Sequence, residues 1–232
     1  MRPSVTAVAA GIRQASAGFK SPPSTWSGAG FFWAKPFHLS EVGHTPFRKA
    51  PYLRGMHERP IELLTTRLLL RTPRLEDAPA IQAIAADPRV ARTTASIPHP
   101  YPDNGAAQFI QHVREVASGE RRNLAIVLRR SRDVVGMMGY EITGAEAELA
   151  YMLSPEHWGQ GYATEACRKM VGHIFEATGA AAVVARVMTD NKASEAVLRK
   201  VGLRWQREAP VELPLRGGSF VTSFWRLGRD EI

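Results

Sequence analysis

Residues 149–166 read Leu-Ala-Tyr-Met-Leu-Ser-Pro-Glu-His-Trp-Gly-Gln-Gly-Tyr-Ala-Thr-Glu-Ala. Apolar residues run to Leu153, and Ser154-Pro155 stop them. Two glycines, Gly159 and Gly161, then mark a tight turn, and an amphipathic pattern begins at Ala163. The order is strand, loop, helix, with the glycines at the helix mouth. The first N–H groups of a helix lack intrahelical partners, and its dipole adds partial positive charge there. Glycine lets an anion approach those N–H groups closely, so residues 159–164 are expected to hold a phosphate-bearing ligand.

The elements on either side place this turn in a sheet. Upstream, Asn123 to Leu128 and Val134 to Ile142 are β-rich runs joined by a polar turn, 129–133. A third run, Ala147 to Leu153, follows Gly144 and makes an antiparallel meander. Downstream, Ala163, Cys167, Met170, Val171, Ile174 and Phe175 fall at helical spacing, with Gly179 as the expected stop. Ala181 to Met188 is then a continuous apolar strand, parallel to 147–153 through a right-handed crossover. A short helix over 191–201 closes at Gly202, and two β-rich segments, 203–213 and 219–227, form a hairpin around Arg216-Gly217-Gly218. Nearer the start, Leu68-Leu69-Leu70 is a short strand and residues 75–87 a helix ended by Asp87-Pro88. A proline-stiffened loop covers 88–103, and Asn104 is the expected N-cap of the next helix.

Composition narrows the function. The 232 residues carry a net charge of +8. Residues 1–55 hold seven basic side chains against Glu41 alone, a net +6, which leaves +2 for the rest. The excess therefore belongs to a Ser-, Gly-, Pro- and Ala-rich extension, and no nucleic-acid-binding face is implied for the core. The extension is expected to be mostly disordered: a targeting segment, an extension with no role, or the product of a start assigned too far upstream, with Met56 as the alternative start. Residues 56–232 are the expected folded domain. No apolar run reaches membrane-spanning length. Cys167 is the single cysteine and the histidines lack ligand spacing, so neither a disulfide nor a metal is expected. A cytoplasmic monomer or homodimer fits this composition.

Two common readings of a glycine-rich turn fail. A Walker loop needs a lysine after the glycines, and none is present. The dinucleotide fingerprint needs a third Gly or Ala where Thr164 stands, and an acidic residue closer than Asp190.

The segment from Trp158 to Ala166 instead resembles motif A of the GNAT acetyltransferases, most closely the branch containing the ribosomal-protein N-terminal acetyltransferases. Asn191-Lys-Ala-Ser194 followed by Lys200-Val-Gly-Leu203 is similar to the family's second signature. The opening Thr66-Arg67-Leu-Leu-Leu-Arg71 and the Pro98–Pro102 loop also match that branch. The resemblance spans residues 61–228. It implies an α/β (α+β) fold with a mixed, mostly antiparallel sheet of six to seven strands, a splayed parallel central pair and helices on both faces. It also implies acetyl-CoA as acyl donor and a primary amine as acceptor, either a protein or peptide N-terminus or a small amine. A relative that binds acyl-CoA as a sensor, without turnover, is the alternative.

Carried over by position, backbone N–H groups of Gly159, Gln160, Gly161, Tyr162, Ala163 and Thr164 would hold the pyrophosphate. Met152, Leu153 and Ser154 would pair with the pantetheine arm like an added strand, and Asn191 and Ser194 would contact it near the thioester. Trp158 stands where the wider family has Arg or Gln, and packing of the loop is its other reading. Asn191 reads equally as a helix N-cap. An ammonium must lose a proton before it attacks, so a base is needed. Glu148, on the face of its strand that carries Met152, is the first choice and Glu141 the second. The N–H of Met152 is the expected oxyanion donor. The position where many relatives carry a tyrosine is Leu198, which leaves Ser194 or water to serve the leaving thiolate. Glu165, in the first helical turn, reads as structural.

Overall fold

In the computed structural model, residues 60–232 are described; the extension 1–55 and Met56 lie outside them. One eight-stranded sheet carries the domain, one strand more than the upper expectation. Its strands are β1 (Glu62–Leu64), β2 (Leu68–Arg71), β3 (Arg121–Leu128), β4 (Val134–Thr143), β5 (Glu146–Leu153), β6 (Ala182–Met188), β7 (Arg204–Leu213) and β8 (Gly218–Gly228). Spatial order is β1-β2-β3-β4-β5-β6-β8-β7. β5 and β6 are parallel, and the other neighbours are antiparallel. The added strand is β1, three residues too short to carry an alternation signal.

Side-chain alternation sends two apolar sets to opposite faces of this sheet. On one face Leu149 and Leu153 of β5 and Val183, Ala185 and Val187 of β6 pack with α4 (Tyr162–Ala177) and α5 (Lys192–Val201). On the other, Met137 of β4 and Met152 of β5 pack with α1 (Ala78–Ala86), α2 (Pro88–Ala91) and α3 (Gly105–Glu115). Cys167 is fully buried in the first core, as a small hydrophobe would be.

Three local expectations need correction. Pro88 ends α1 but also starts α2, since a first helical position loses no hydrogen bond to proline; the Asp87 carboxylate caps α2 by accepting from the Arg89 N–H at 2.8 Å. Asn104 precedes α3 as expected, but its backbone is left-handed (φ 58°) and its side chain makes no cap bond. α4 ends at Ala177, where the Thr178 hydroxyl donates to the Ile174 carbonyl, so Gly179 is not the stop. Gly202 does close α5, with φ 107°.

Two ties hold distant loops to this frame. Arg71 on β2 makes a two-pronged pair with buried Asp77 at 2.7 Å, fixing the turn that enters α1. Arg216, in the β7–β8 turn, donates to the carbonyls of Ala91, Thr94 and Ile97.

Candidate active site

β5 stops at Leu153, where Pro155 begins a single 3-10 turn that ends at His157. The loop then passes through Gly159 (φ 73°) and Gly161 (φ 80°), conformations that exact a steric cost from any side chain. Gly161 is the residue before α4, and no side chain caps the helix there. A Cβ at Gly159 would meet nothing within 4 Å, so space over the turn is open. Side chains of the loop are turned to other tasks. The Trp158 indole N–H donates to the Leu153 carbonyl at 2.9 Å, which is the packing role, although 43% of the residue stays exposed. The Gln160 amide folds back on the Glu156 carbonyl at 2.9 Å. What the turn offers a ligand is its backbone, including the free first N–H groups at Tyr162, Ala163 and Thr164.

Arg67 braces the turn from β2's side, a contact that the sequence did not reveal. Its guanidinium donates to the Gln160 carbonyl at 2.9 Å, pairs with Glu165 at 2.6 Å and lies 4.4 Å from the centre of the Tyr162 ring. Glu165 also accepts from the Thr65 hydroxyl (2.6 Å) and the Arg67 N–H (2.8 Å), so it is structural, as read. Burial pushes this carboxyl up, but those three donors outweigh it and hold it below the usual range. The Thr66–Arg71 stretch was the available signal, through its match to the family branch.

The second half of the site is an opening in the sheet. β5 and β6 pair only from Glu146↔Ala182 to Glu148↔Val184, so the splay begins after Glu148, earlier than residues 152–154. Direction along β5 follows from the Ser154 N–H donating to Val135 of β4 at 2.8 Å. Alternation then aims the N–H and C=O of Ala150 and Met152 at β4, and those of Tyr151 and Leu153 at the opening. The Met152 N–H therefore belongs to the β4 ladder and does not face the opening, whereas the Leu153 N–H does. The Met152 side chain, 4% exposed, is core.

Across the opening, α5 begins. Asn191 is an N-cap, its side-chain oxygen accepting the Ser194 N–H at 3.1 Å, which leaves its amide N–H groups for other partners. Leu198, one turn beyond Ser194, is fully buried. α5 is pinned to β8 by buried Glu195, 3.0 Å from the Ser223 hydroxyl. Tyr151, which the sequence did not single out, points its ring into this α4/α5 side.

Glu148 and Glu141 are direct cross-strand partners on the opposite face, and neither carboxylate is free. Both Glu148 oxygens accept from Arg186 of β6, at 2.5 and 2.9 Å. Glu141 pairs with Arg121 at 2.8 Å. A row of charges thus crosses β3 to β6, with the two carboxylates of Glu141 and Glu148 side by side between Arg121 and Arg186.

Comparison with known proteins agrees with this geometry. Residues 67–204 match the family model described as acetyltransferase (GNAT) domain. The uncharacterized N-acetyltransferase p20 of Bacillus licheniformis is 30% identical over 151 residues, which is 63% of this chain and 83% of that protein. Among solved structures, a GNAT-family acetyltransferase from Bacillus anthracis superposes with a TM-score of 0.66 at 18% identity, over 74% of this chain and all of that one. RimL, a ribosomal L7/L12 alpha-N-protein acetyltransferase in complex with coenzyme A, gives 0.65 at 16% identity, with the same coverage of both chains. Family model, fold, glycine turn and splayed strand pair converge: the chain belongs to the GNAT acetyltransferases and is an acyl-CoA-dependent N-acyltransferase.

Proposed function

We propose that the protein transfers acetyl from acetyl-CoA to a primary amine, and that a protein or peptide N-terminus is the acceptor. The observation that carries this reading is the open glycine turn at α4 standing beside the unpaired edge of β5. Backbone N–H groups from Gly159 to Thr164 hold the pyrophosphate, where the helix dipole favours negative charge. The pantetheine arm pairs with the N–H and C=O of Tyr151 and the N–H of Leu153 as an added strand, within the stretch that continues through Ser154, while the Leu153 carbonyl stays with the Trp158 indole. Asn191 supplies its amide and Ser194 its hydroxyl to the same arm.

In the reaction, the amine nitrogen attacks the thioester carbonyl, and the Leu153 N–H stabilises the oxyanion. Glu148 takes the ammonium proton, directly or through water, while Arg186 holds its carboxylate. Collapse of the tetrahedral intermediate releases CoA thiolate and the amide. The choice of a protein N-terminus leans on the family branch and on the RimL neighbour.

The test is release of free CoA thiol by the full chain across a panel of peptides and small amines. Turnover restricted to peptides with a free α-amine is expected; turnover only with small amines would overturn the acceptor assignment. Gly161→Glu places a negative charge and a side chain in the pyrophosphate cradle. It should abolish acetyl-CoA binding in titration calorimetry with the circular dichroism spectrum unchanged, and retained binding would overturn the cofactor assignment.

A further inference from the structure

The β1–β2 turn and the β3–β4 hairpin turn enclose a cavity of about 670 Å³ beside the glycine turn, a size usual for small-ligand sites. Leu64, Leu69 and Leu128 make part of its lining apolar. The other part is basic: Arg67, Arg129, Arg130 and Arg132 line it, and among the described residues no carboxylate does. Tyr162, the first residue of α4, lines the side next to the pyrophosphate cradle. Arg67 borders both, since its Nη2 would lie 3.4 Å from a Cβ at Gly161.

These arginines differ in what they can offer. Arg67 is committed to Glu165 and to the Gln160 carbonyl. Arg129 is fixed in place, its Nη1 donating to the carbonyls of Thr65 (2.7 Å) and Thr66 (3.1 Å). Its Nε and Nη2 are left for a ligand. The side chains of Arg130 and Arg132 are exposed and pair with nothing among the described residues, Asp133 included. Arg132 also holds a left-handed backbone (φ 69°), where glycine or asparagine is at ease and arginine is strained. Like charges gathered in one cavity repel, and an anion set between them removes that cost. The guanidinium fork matches phosphate oxygens in pairs, and a phosphate monoester brings nearly two negative charges and three such oxygens.

We propose that this cavity binds a phosphate monoester, held by Arg129, Arg130 and Arg132, with the group that carries it lying on the leucines. Two ligands can supply that chemistry. One is the acyl-CoA itself, whose 3′-phosphate sits on the ribose next to the pyrophosphate, and this source rests on the acetyl-CoA reading above. The other is a separate phosphorylated molecule, which does not depend on that reading.

The experiment is calorimetry on the full chain in about 0.1 M salt, where exposed charges are screened beyond roughly 10 Å. Three probes are used: CoA, 3′-dephospho-CoA, which lacks only the monoester, and adenosine 3′,5′-bisphosphate. The native protein should prefer CoA to dephospho-CoA by roughly tenfold or more, the yield of hydrogen bonds between charged groups. The double variant Arg130→Ala, Arg132→Gly should bring that ratio close to one and leave the affinity for dephospho-CoA unchanged. Its melting temperature should hold, since neither side chain has a partner and glycine suits the left-handed backbone. Removing two arginines at the far edge of the sheet, Arg204→Ala with Arg207→Ala on β7, should leave the ratio as it is in the native protein. If CoA and dephospho-CoA bind alike, bisphosphate that still binds the CoA-saturated protein, and fails to bind the Arg130/Arg132 variant, would assign the cavity to a separate ligand. Equal binding of the two coenzymes with no such bisphosphate binding would overturn the proposal and leave the CoA site intact. Failure of the native protein to bind either coenzyme would overturn the CoA site, and the bisphosphate titration would then decide the cavity alone.

Discussion

Glu148, the proposed base, is half of an ion pair. Arg186 occupies both carboxylate oxygens, so the pair limits rotation of the group. Glu148→Gln keeps the shape and removes the proton acceptor. Turnover should fall by roughly a hundredfold or more, the usual contribution of a general base. Acetyl-CoA affinity measured by calorimetry should be unchanged, and normal turnover would remove Glu148 from the mechanism. Glu148 itself was legible, because two-residue alternation along an apolar strand places a side chain reliably. Arg186 was not, because the register of two parallel strands joined through a helix is set by how α4 packs, not by local spacing. The misplaced Met152 N–H has a similar cause. Alternation tells which face a side chain takes, whereas the direction of its N–H depends on which cross-strand pairs exchange hydrogen bonds.

At the scale of elements, β4 and β5 approach closely beside the open end of the splay. A Cβ on Gly136 would lie 2.3 Å from the Met152 carbonyl and 3.2 Å from the Leu153 Cα, both backbone atoms that cannot swing aside. Glycine at that point lets β4 pull the end of β5 toward itself and away from β6. Gly136→Ala should force the strands apart and cost roughly 1–3 kcal/mol of stability by urea unfolding. It should also weaken acetyl-CoA binding more than a substitution of equal destabilisation in α3. Most elements could be read from periodicity and turn residues. The exceptions share a cause: β1 and α2 are three and four residues long, and such lengths hold less than one full repeat of either pattern.

For the whole molecule, the parts most distant in sequence are tied by single polar groups. Arg216 joins the β7–β8 turn to residues 91–97 through three backbone carbonyls and the Thr94 hydroxyl, and burial lowers its guanidinium pKa. Arg216→Ala should cost about 2 kcal/mol, the scale of hydrogen bonds to a charged donor, read as a lower urea midpoint. Acidification should act on the fold as a whole. His173 titrates below its ordinary 6.5, chiefly through burial, with Arg122 and Lys169 adding to the fall and Glu176 opposing it. For Asp77, burial pushes the carboxyl up, but hydrogen bonds from Arg71 and the Arg74 N–H outweigh it and bring it below its ordinary 3.8. Both groups bind protons more weakly folded than unfolded, so stability is present at high pH and lost as pH falls. The melting temperature should decline first below about pH 6.5 and more steeply below about pH 4. A midpoint independent of pH between 7 and 3 would contradict both assignments.

The strand order β6-β8-β7 also dictates a sequence of events during synthesis. β8, made after β7, enters the sheet between β7 and β6 and bonds to both. Until Gly218–Gly228 has left the ribosome, β6 presents a bare hydrogen-bonding edge and β7 has no partner to fold against. A nascent chain paused in this interval carries a template for strand addition by other chains, and it is the stage at which a chaperone has most to protect.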